Sequence, residues 1–459
     1  MANKKVLIIT YYWPPSGGAG VQRWLKLSNY LVKLGHEVHV IYPDEKYASY
    51  MVLDETLTQE IDSRIFLHPT KSFEPLKWYA RLFGKKNIPS AGFANINKKS
   101  IIQQLIIFLR THLFIPDPRK YWGIYAYSAA KKVIKQYQIK NLITSSPPHS
   151  VQLIGKRLKK KFSIHWIADF RDLWTDVYYY ELLNHSRFSN YFDRRHERKV
   201  IENADHIVTA SSVYVPFLND KSKNNNLDKF TTIPNGYDAI DFENYKLDQN
   251  DLFTLTYTGT ISDQYNITPF LDALGQFKIN FPDKGFCLQF VGSVYPNLKE
   301  ELTQRNLIGN TKFSPYVPHS ESIEFLEKAS ALLVFGPLNR HGKEGGIPAK
   351  VYEYLAARKP IIYVGKKDGF VAEIIYKTAS GLAHDNNIVD IQNHITDLYQ
   401  KWESNNGILP NNAKIQSTVV RVKQKHLQIF SNKLSYNIGI LSKLILFLRY
   451  LKLYESFYS

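Results

Sequence analysis

One cysteine, Cys287, is the only thiol in 459 residues. A lone thiol excludes a disulfide framework, a cysteine zinc site and CxxC redox chemistry within one chain. No uncharged apolar stretch approaches the ~18 residues that span a bilayer; the best, residues 101–109, is short and broken by Gln103 and Gln104. The chain start runs through Asn3, Lys4 and Lys5 into a short apolar segment without the cleavage pattern of a secretion signal, so a cytoplasmic location is expected. Acidic residues are also scarce: 41 Asp and Glu against 59 Lys and Arg leave a net charge of +18. Such a field attracts phosphate in some form, whether in nucleic acid, on a membrane surface or in a small molecule. The basic residues are dispersed and no motif interleaves them with aromatics, which argues against a nucleic-acid partner.

What is present is an ordinary globular composition, long enough for two or three domains. Residues 6–10 form a β-rich apolar run, followed by a Gly- and Pro-rich turn. A helical pattern then carries Val21, Trp24, Leu25, Leu31 and Leu34, and Gly35 closes it before a second strand at 36–42. That is one βαβ unit of a parallel sheet. Strand-like runs recur at 141–144, 164–168 and 206–209, with helices at 151–161 and 187–203. After a polar stretch at 220–228 and the Asn235-Gly236 turn, the alternation restarts at Phe253 and runs to Val364. The expected fold class is therefore α/β, with two Rossmann-like domains in tandem at 1–240 and 241–415, and a helical tail at 416–459.

Ligands of parallel α/β sheets bind beyond the carboxyl ends of the strands, so the loops there are the candidates for chemistry. The first loop holds Gly17 and Gly18, where backbone N–H groups could meet a phosphate or a sugar hydroxyl. It is not a dinucleotide fingerprint, because Arg23 stands where the third glycine of GxGxxG would fall. Two further strand ends concentrate polar groups: Ser145-Ser146-Pro147-Pro148-His149, and Asp169-Phe170-Arg171-Asp172. His149 could exchange a proton near neutral pH or merely cap the next helix, and Asp169 and Arg171 could position sugar hydroxyls or phosphate. In the segment from Gly345 to Pro360, glycines precede Pro348 in the expected first turn of a helix, and Lys350 and Glu353 share one face. A cation in a first turn opposes the helix dipole, which suggests an anion bound there, while Glu353 could accept from a ribose diol. The other reading of this pair is an ordinary surface ion pair worth ~0.2–0.5 kcal/mol.

These segments, in this order, resemble family 4 of the glycosyltransferases, the group 1 enzymes of the GT-B fold, over roughly residues 4–430. The carriers are Lys5-Val6-Leu7-Ile8-Ile9 with the Gly17-Gly18 loop, Ser146-Pro147-Pro148, Ala168-Asp169-Phe170-Arg171-Asp172-Leu173-Trp174, Ile233-Pro234-Asn235-Gly236, Tyr257-Thr258-Gly259-Thr260 and the helix from Pro348 to Pro360. The resemblance implies two Rossmann-like domains facing across a cleft. It also implies retaining, metal-independent transfer of a sugar from a nucleoside diphosphate donor to an acceptor hydroxyl, with no cofactor. The chain has no DxD motif. Glu353 matches the family glutamate that holds the donor ribose. The other glutamate of the family's E-x7-E falls on Gly345, with Glu344 beside it. The two residues that usually grip the diphosphate fall on Thr260 and Tyr265. Phosphate neutralisation is then expected from Lys350, helped by Arg340 or Lys343, with Gly259 allowing close backbone approach and Thr260, Glu344 and Gly346 also at the donor.

The implied acceptor is lipid-linked or another saccharide, in surface polysaccharide or lipopolysaccharide synthesis. Residues 436–454 form a basic amphipathic pattern that could lie on the inner face of the membrane or pack back on the first domain. The apolar run at 101–114 is a second candidate for contact with a lipid-linked acceptor. A non-catalytic nucleotide-sugar-binding scaffold and a nucleotide-sugar epimerase are the alternatives on the same fold.

Overall fold

The structure is a computed structural model and describes residues 4–50, 52–75, 112, 114–177, 180, 185–246, 251–337 and 346–409. The first lobe is a seven-stranded parallel sheet of β1 (Lys5–Thr10), β2 (Glu37–Pro43), β3 (Phe66–Thr70), β4 (Asn141–Ser146), β5 (His165–Phe170), β6 (His206–Thr209) and β7 (Phe230–Thr232). Its strand order is β3-β2-β1-β4-β5-β6-β7. The helices are α1 (Ala19–Lys33), α2 (Thr56–Gln59), α3 (Trp122–Tyr137), α4 (Ser150–Lys161), α5 (Arg187–Asn203) and α6 (Tyr214–Asn219). The second lobe has six parallel strands, β8 (Phe253–Thr258), β9 (Phe286–Val291), β10 (Thr311–Ser314), β11 (Ala331–Phe335), β12 (Ile361–Val364) and β13 (Gly381–His384), in the order β10-β9-β8-β11-β12-β13. Its helices are α7 (Thr268–Asn280), α8 (Leu298–Gln304), α9 (His319–Glu327), α10 (Ala349–Ala357), α11 (Phe370–Lys377) and α12 (Ile388–Ser404).

Each sheet is buried on both faces, and the period of two explains how. In β1, Val6 and Ile8 face Val21, Trp24 and Leu25 of α1, whereas Leu7 and Ile9 face the cluster that includes Trp122, Ala126 and Ile154. The second lobe repeats the device: Leu333 and Phe335 of β11 join Phe270 and Leu274, and Leu332 and Val334 join Val351 and Leu355 of α10. Fully burying one such aliphatic side chain contributes roughly 1.5–3 kcal/mol, so the alternating runs, rather than helix propensity, hold the layers together.

The strand order reverses between β1 and β4 in the first sheet and between β8 and β11 in the second. Beyond the carboxyl ends of those strands lie the two crevices where ligands of open parallel sheets bind. The chain passes from one sheet to the other between Thr232 and Phe253.

Most expected elements appear within one or two residues of their expected ends. The strand β10 stops at Ser314, because the next residue, Pro315, has no N–H for the ladder. The tail at 416–459 lies outside the described residues, as does the run at 101–114 apart from His112 and Phe114. Among the described residues no helix is long and apolar enough to cross a membrane.

Gly155 of α4 sits against the fully buried Trp166, whose Nε1 donates to Thr144 Oγ1 at 2.8 Å. A methyl at 155 would overlap the indole, which has no room to yield. Gly155→Ala should therefore lower stability by about 1–3 kcal/mol in urea unfolding. Gly309→Ala, with open space around it, serves as the matched control and should leave the midpoint in place.

Candidate functional site

The mouth of the second lobe is built by the end of β8 and the start of α10. Gly259 has φ +100°, a conformation that disfavours a side chain, and its N–H is tied to Val291 O at 2.7 Å. Gly259 and Thr260 are exposed at this mouth, and the carbonyl of Thr260 accepts from Tyr257 Oη at 2.9 Å. Pro348 is the N-cap of α10, one position earlier than the first-turn placement expected from the sequence. It leaves the first N–H groups of the helix without intrahelical acceptors.

Lys350 reaches back from this first turn. Its Nζ donates to Thr258 O at 2.6 Å and stands 3.7 Å from the centre of the Tyr257 ring. No carboxylate lies within ion-pair distance of it among the described residues. Burial depresses its amine to a pKa of about 7, an effect that Glu353 only partly opposes. Glu353 points into a cavity between the lobes, lined also by Gln22, Arg23, Lys26, Asn235 and Asp238 of the first lobe and its connecting segment. Its side chain is 18% exposed, and Oε1 lies 4.0 Å from His319 Nδ1. Burial pushes its carboxyl upward, against the pull of His319. The helix mouth therefore carries a desolvated amine and an incompletely partnered carboxyl one turn apart, which is not the geometry of a surface i,i+3 pair. Gly346 N donates across the cleft to Tyr214 Oη at 3.1 Å. Arg340, Lys343 and Glu344 lie outside the described residues.

In the first lobe the structure redistributes the expected roles. Asp169 is completely buried and accepts from Arg23 Nη2 at 3.0 Å, Trp24 Nε1 at 2.8 Å and Ser145 Oγ at 2.7 Å. A carboxylate so enclosed positions α1 against β4 and β5 and has no face for substrate. Arg171 is not neutralised by ion pairing to its flanking aspartates. Its guanidinium donates to three backbone carbonyls, those of Gly20, Ser146 at 3.3 Å and Pro147 at 2.7 Å. It is a positioning residue that fixes the glycine loop to the end of β4.

His149 neither caps nor titrates near neutrality. The cap of α4 comes from Asp117, which accepts from Ser150 N at 2.7 Å and Ser150 Oγ at 2.9 Å. The imidazole instead stacks on Trp174, with centroids 4.9 Å apart and planes 10° apart. Burial, reinforced by Arg171 and Lys221, drives its pKa down to about 3, so the ring is neutral at physiological pH and its buried Nδ1 makes no hydrogen bond. Of the glycine loop, Gly17 N is bonded to Val52 O at 2.9 Å, and the Tyr316 hydroxyl of the second lobe occupies the space a Gly17 side chain would need. Gly18 has φ +96° and starts α1.

The contacts that join the lobes escaped the sequence reading because their partners lie far apart in the chain. His319 donates its backbone N–H to Asp54 Oδ2 at 3.0 Å, and its ring meets Gln22 Nε2 at 2.8 Å and Asp241 Oδ2 at 3.3 Å. Lys26 collects Glu60, Asp238 and Asp241 at 2.5, 3.0 and 3.4 Å. Arg23, noticed in the sequence only as a missing glycine, also donates to Ile233 O at 2.8 Å and so ties α1 to the segment between the sheets.

Asp169→Ala should destabilise the protein by about 3–5 kcal/mol in urea unfolding, since it strands the Arg23 guanidinium in the interior. A catalytic carboxylate replaced without structural cost would leave the unfolding midpoint unchanged, and that result would return Asp169 to the reacting groups.

Residues 240–415 match the family described as glycosyl transferases group 1. The match lies over the second lobe, where it agrees with the resemblance drawn from the sequence. No curated protein matches the chain in sequence. Among solved structures, a glycosyltransferase from Rickettsia africae superimposes with a TM-score of 0.55 at 14% identity, covering 95% of this chain and 99% of the other. WaaG, a glycosyltransferase involved in lipopolysaccharide biosynthesis, gives 0.53 at 12% identity over 92% and 99%. A TarM variant from S. aureus, in complex with fondaparinux, α-GlcNAc-glycerol and UDP, gives 0.55 at 10% identity over 98% and 99%. At these identities the likeness shows the fold: two Rossmann-like lobes in the GT-B arrangement.

Proposed function

We propose that the chain is a retaining glycosyltransferase that moves a sugar from a nucleoside diphosphate donor to an acceptor hydroxyl. The observation that carries the reading is Lys350, a desolvated amine at the start of α10, held by one carbonyl beside the exposed Gly259 at the second crevice. An amine in that position has little reason to be there without an anion to meet it. The first N–H groups of α10 and the Lys350 ammonium would receive the diphosphate, and Glu353 would accept from the ribose hydroxyls.

Catalysis then consists of stabilising the charge that builds on the leaving diphosphate, which oriented N–H dipoles and one ammonium can do from fixed positions. The chain lacks the DxD motif that would hold a metal for the same purpose. The acceptor hydroxyl would attack from the face the diphosphate leaves, passing its proton to a donor phosphate oxygen. Neither His149, neutral and stacked, nor Asp169, enclosed by donors, is asked to act as a base. The acceptor belongs to the first lobe's crevice, and a lipid-linked saccharide in surface polysaccharide synthesis is the acceptor class proposed. The net charge of +18 suits approach to an anionic membrane face, and WaaG, of similar fold, works in lipopolysaccharide biosynthesis.

Calorimetry against a panel of nucleoside diphosphate sugars tests this. Lys350→Ala should weaken the bound donor at least tenfold, consistent with the ~1.5–3 kcal/mol of a hydrogen bond to a charged group. Glu353→Ala should weaken nucleoside diphosphates while leaving inorganic pyrophosphate within twofold. Incubating donor with no acceptor separates transfer from epimerisation, which would convert the sugar unaided.

The depressed amine sets a pH dependence. Free Lys350 loses its proton as pH rises through about 7, and a bound diphosphate favours the charged form. Donor binding should therefore take up protons above pH 7 and weaken progressively from pH 7 to 9. Calorimetry in buffers of different ionisation enthalpy reads that uptake; its absence in wild type would show that Lys350 does not meet the phosphate.

A further inference from the structure

The first lobe carries a second cation that the donor reading does not use. Arg119 lies in a short 3-10 turn (Pro118–Tyr121) capped by Asp117, whose Oδ1 accepts from Arg119 N at 3.0 Å. The same carboxylate caps α4 through Ser150, which anchors the turn to the carboxyl end of β4. The guanidinium carbon stands 5.0 Å from the centre of the Tyr11 ring and 5.6 Å from that of Tyr12, just past the end of β1. Arg119 therefore stands by the carboxyl ends of β1 and β4, where the strand order reverses.

Among the described residues its side-chain hydrogen-bonding capacity is unspent. Nε is buried and makes no hydrogen bond, and the guanidinium forms no ion pair or hydrogen bond among the described residues. The nearby carboxylates are already committed. Glu74 accepts from Tyr11 Oη at 2.9 Å, Ser49 Oγ at 2.8 Å and Ser72 Oγ at 2.5 Å, and Asp117 serves the two caps. Arg171 flanks Tyr12 as well, with its guanidinium carbon 5.9 Å from the ring centre, but its donors are taken by carbonyls. A guanidinium held on two aromatic faces, with no acceptor among the described residues, is a fork prepared for a planar or tetrahedral oxyanion.

We propose that Arg119, laid over Tyr11 and Tyr12, docks a phosphate group carried by the acceptor. The proposal rests on the glycosyltransferase reading, which places the acceptor in this lobe. It adds that the acceptor is anionic, and that its phosphate is held by a residue separate from those that hold the donor diphosphate. That phosphate has two chemical sources, a lipid-linked sugar phosphate or a soluble sugar phosphate, and the same fork serves either.

Binding of farnesyl phosphate, farnesol, glucose 1-phosphate and a panel of nucleoside diphosphates (UDP, GDP, ADP and dTDP) to the full chain separates the cases. Arg119→Gln should weaken the phosphate probe that wild type binds by tenfold or more and leave the bound nucleoside diphosphate within twofold. Lys350→Gln should do the reverse. Arg119→Lys, which keeps the charge and loses the fork, should fall between wild type and Arg119→Gln, and it provides the reading if the glutamine variant fails to fold. Binding of farnesyl phosphate but not farnesol or glucose 1-phosphate assigns the lipid source, and preference for glucose 1-phosphate assigns the soluble one. Failure of wild type to bind either phosphate, or unchanged phosphate binding in the folded Arg119 variants, overturns the proposal. Failure to bind any nucleoside diphosphate instead overturns the donor reading and leaves the Arg119 result to be judged separately.

Discussion

The buried pair of Arg23 and Asp169 is the contact on which the first lobe's crevice depends. Both side chains are almost wholly removed from water, 3% and 0% exposed, so neither charge is tolerable without the other. Asp169 gathers α1 through Arg23 and Trp24, and β4 through Ser145. Arg23 carries the constraint onward to Ile233 and Asn235, in the stretch that leads to the second sheet. Arg171 adds the glycine loop to the same frame through the carbonyl of Gly20. Polar residues at strand ends thus do different work here from the work their position first suggests: they hold the rim of the crevice in register so that other groups can face it.

The contrast with Lys350, Glu353 and Arg119 is one of spare capacity. Asp169 and Arg171 have spent their hydrogen bonds inside the fold, whereas Lys350 has one carbonyl and Arg119 has two aromatic faces. Leaving such groups underpartnered in a partly desolvated place costs stability, and burial is already visible in the depressed amine of Lys350. A protein retains that cost where a ligand offsets it. A cation with donors left over among the described residues stands at each of the two switch points, Arg119 in the first lobe and Lys350 in the second.

Much of the fold was legible because alternating apolar runs and their glycine or proline boundaries are local signals. The helix at Arg187–Asn203 and the strand at His206–Thr209 appear with the bounds the pattern gives. The short edge strands β3 and β7 were missed, since an edge carries little apolar periodicity. The placement of Lys350 and Glu353 in the first turns of one helix was legible because the helix start and their spacing are encoded within ten residues. The surroundings of His149 were not legible, because they are set by Trp174, 25 residues on, and by the Asp117 cap that relieves it of capping. The lobe-joining contacts of His319 with Gln22 and Asp54 link residues almost 300 and 265 apart, beyond any local pattern.

The central claim is that the mouth of α10 receives a diphosphate through Lys350. A crystal structure of the chain with a bound nucleoside diphosphate tests it most directly. The account predicts that Lys350 Nζ leaves the Thr258 carbonyl for a phosphate oxygen at hydrogen-bond distance, with the ribose hydroxyls on Glu353. A nucleotide seated elsewhere, with Lys350 still on Thr258, would contradict it.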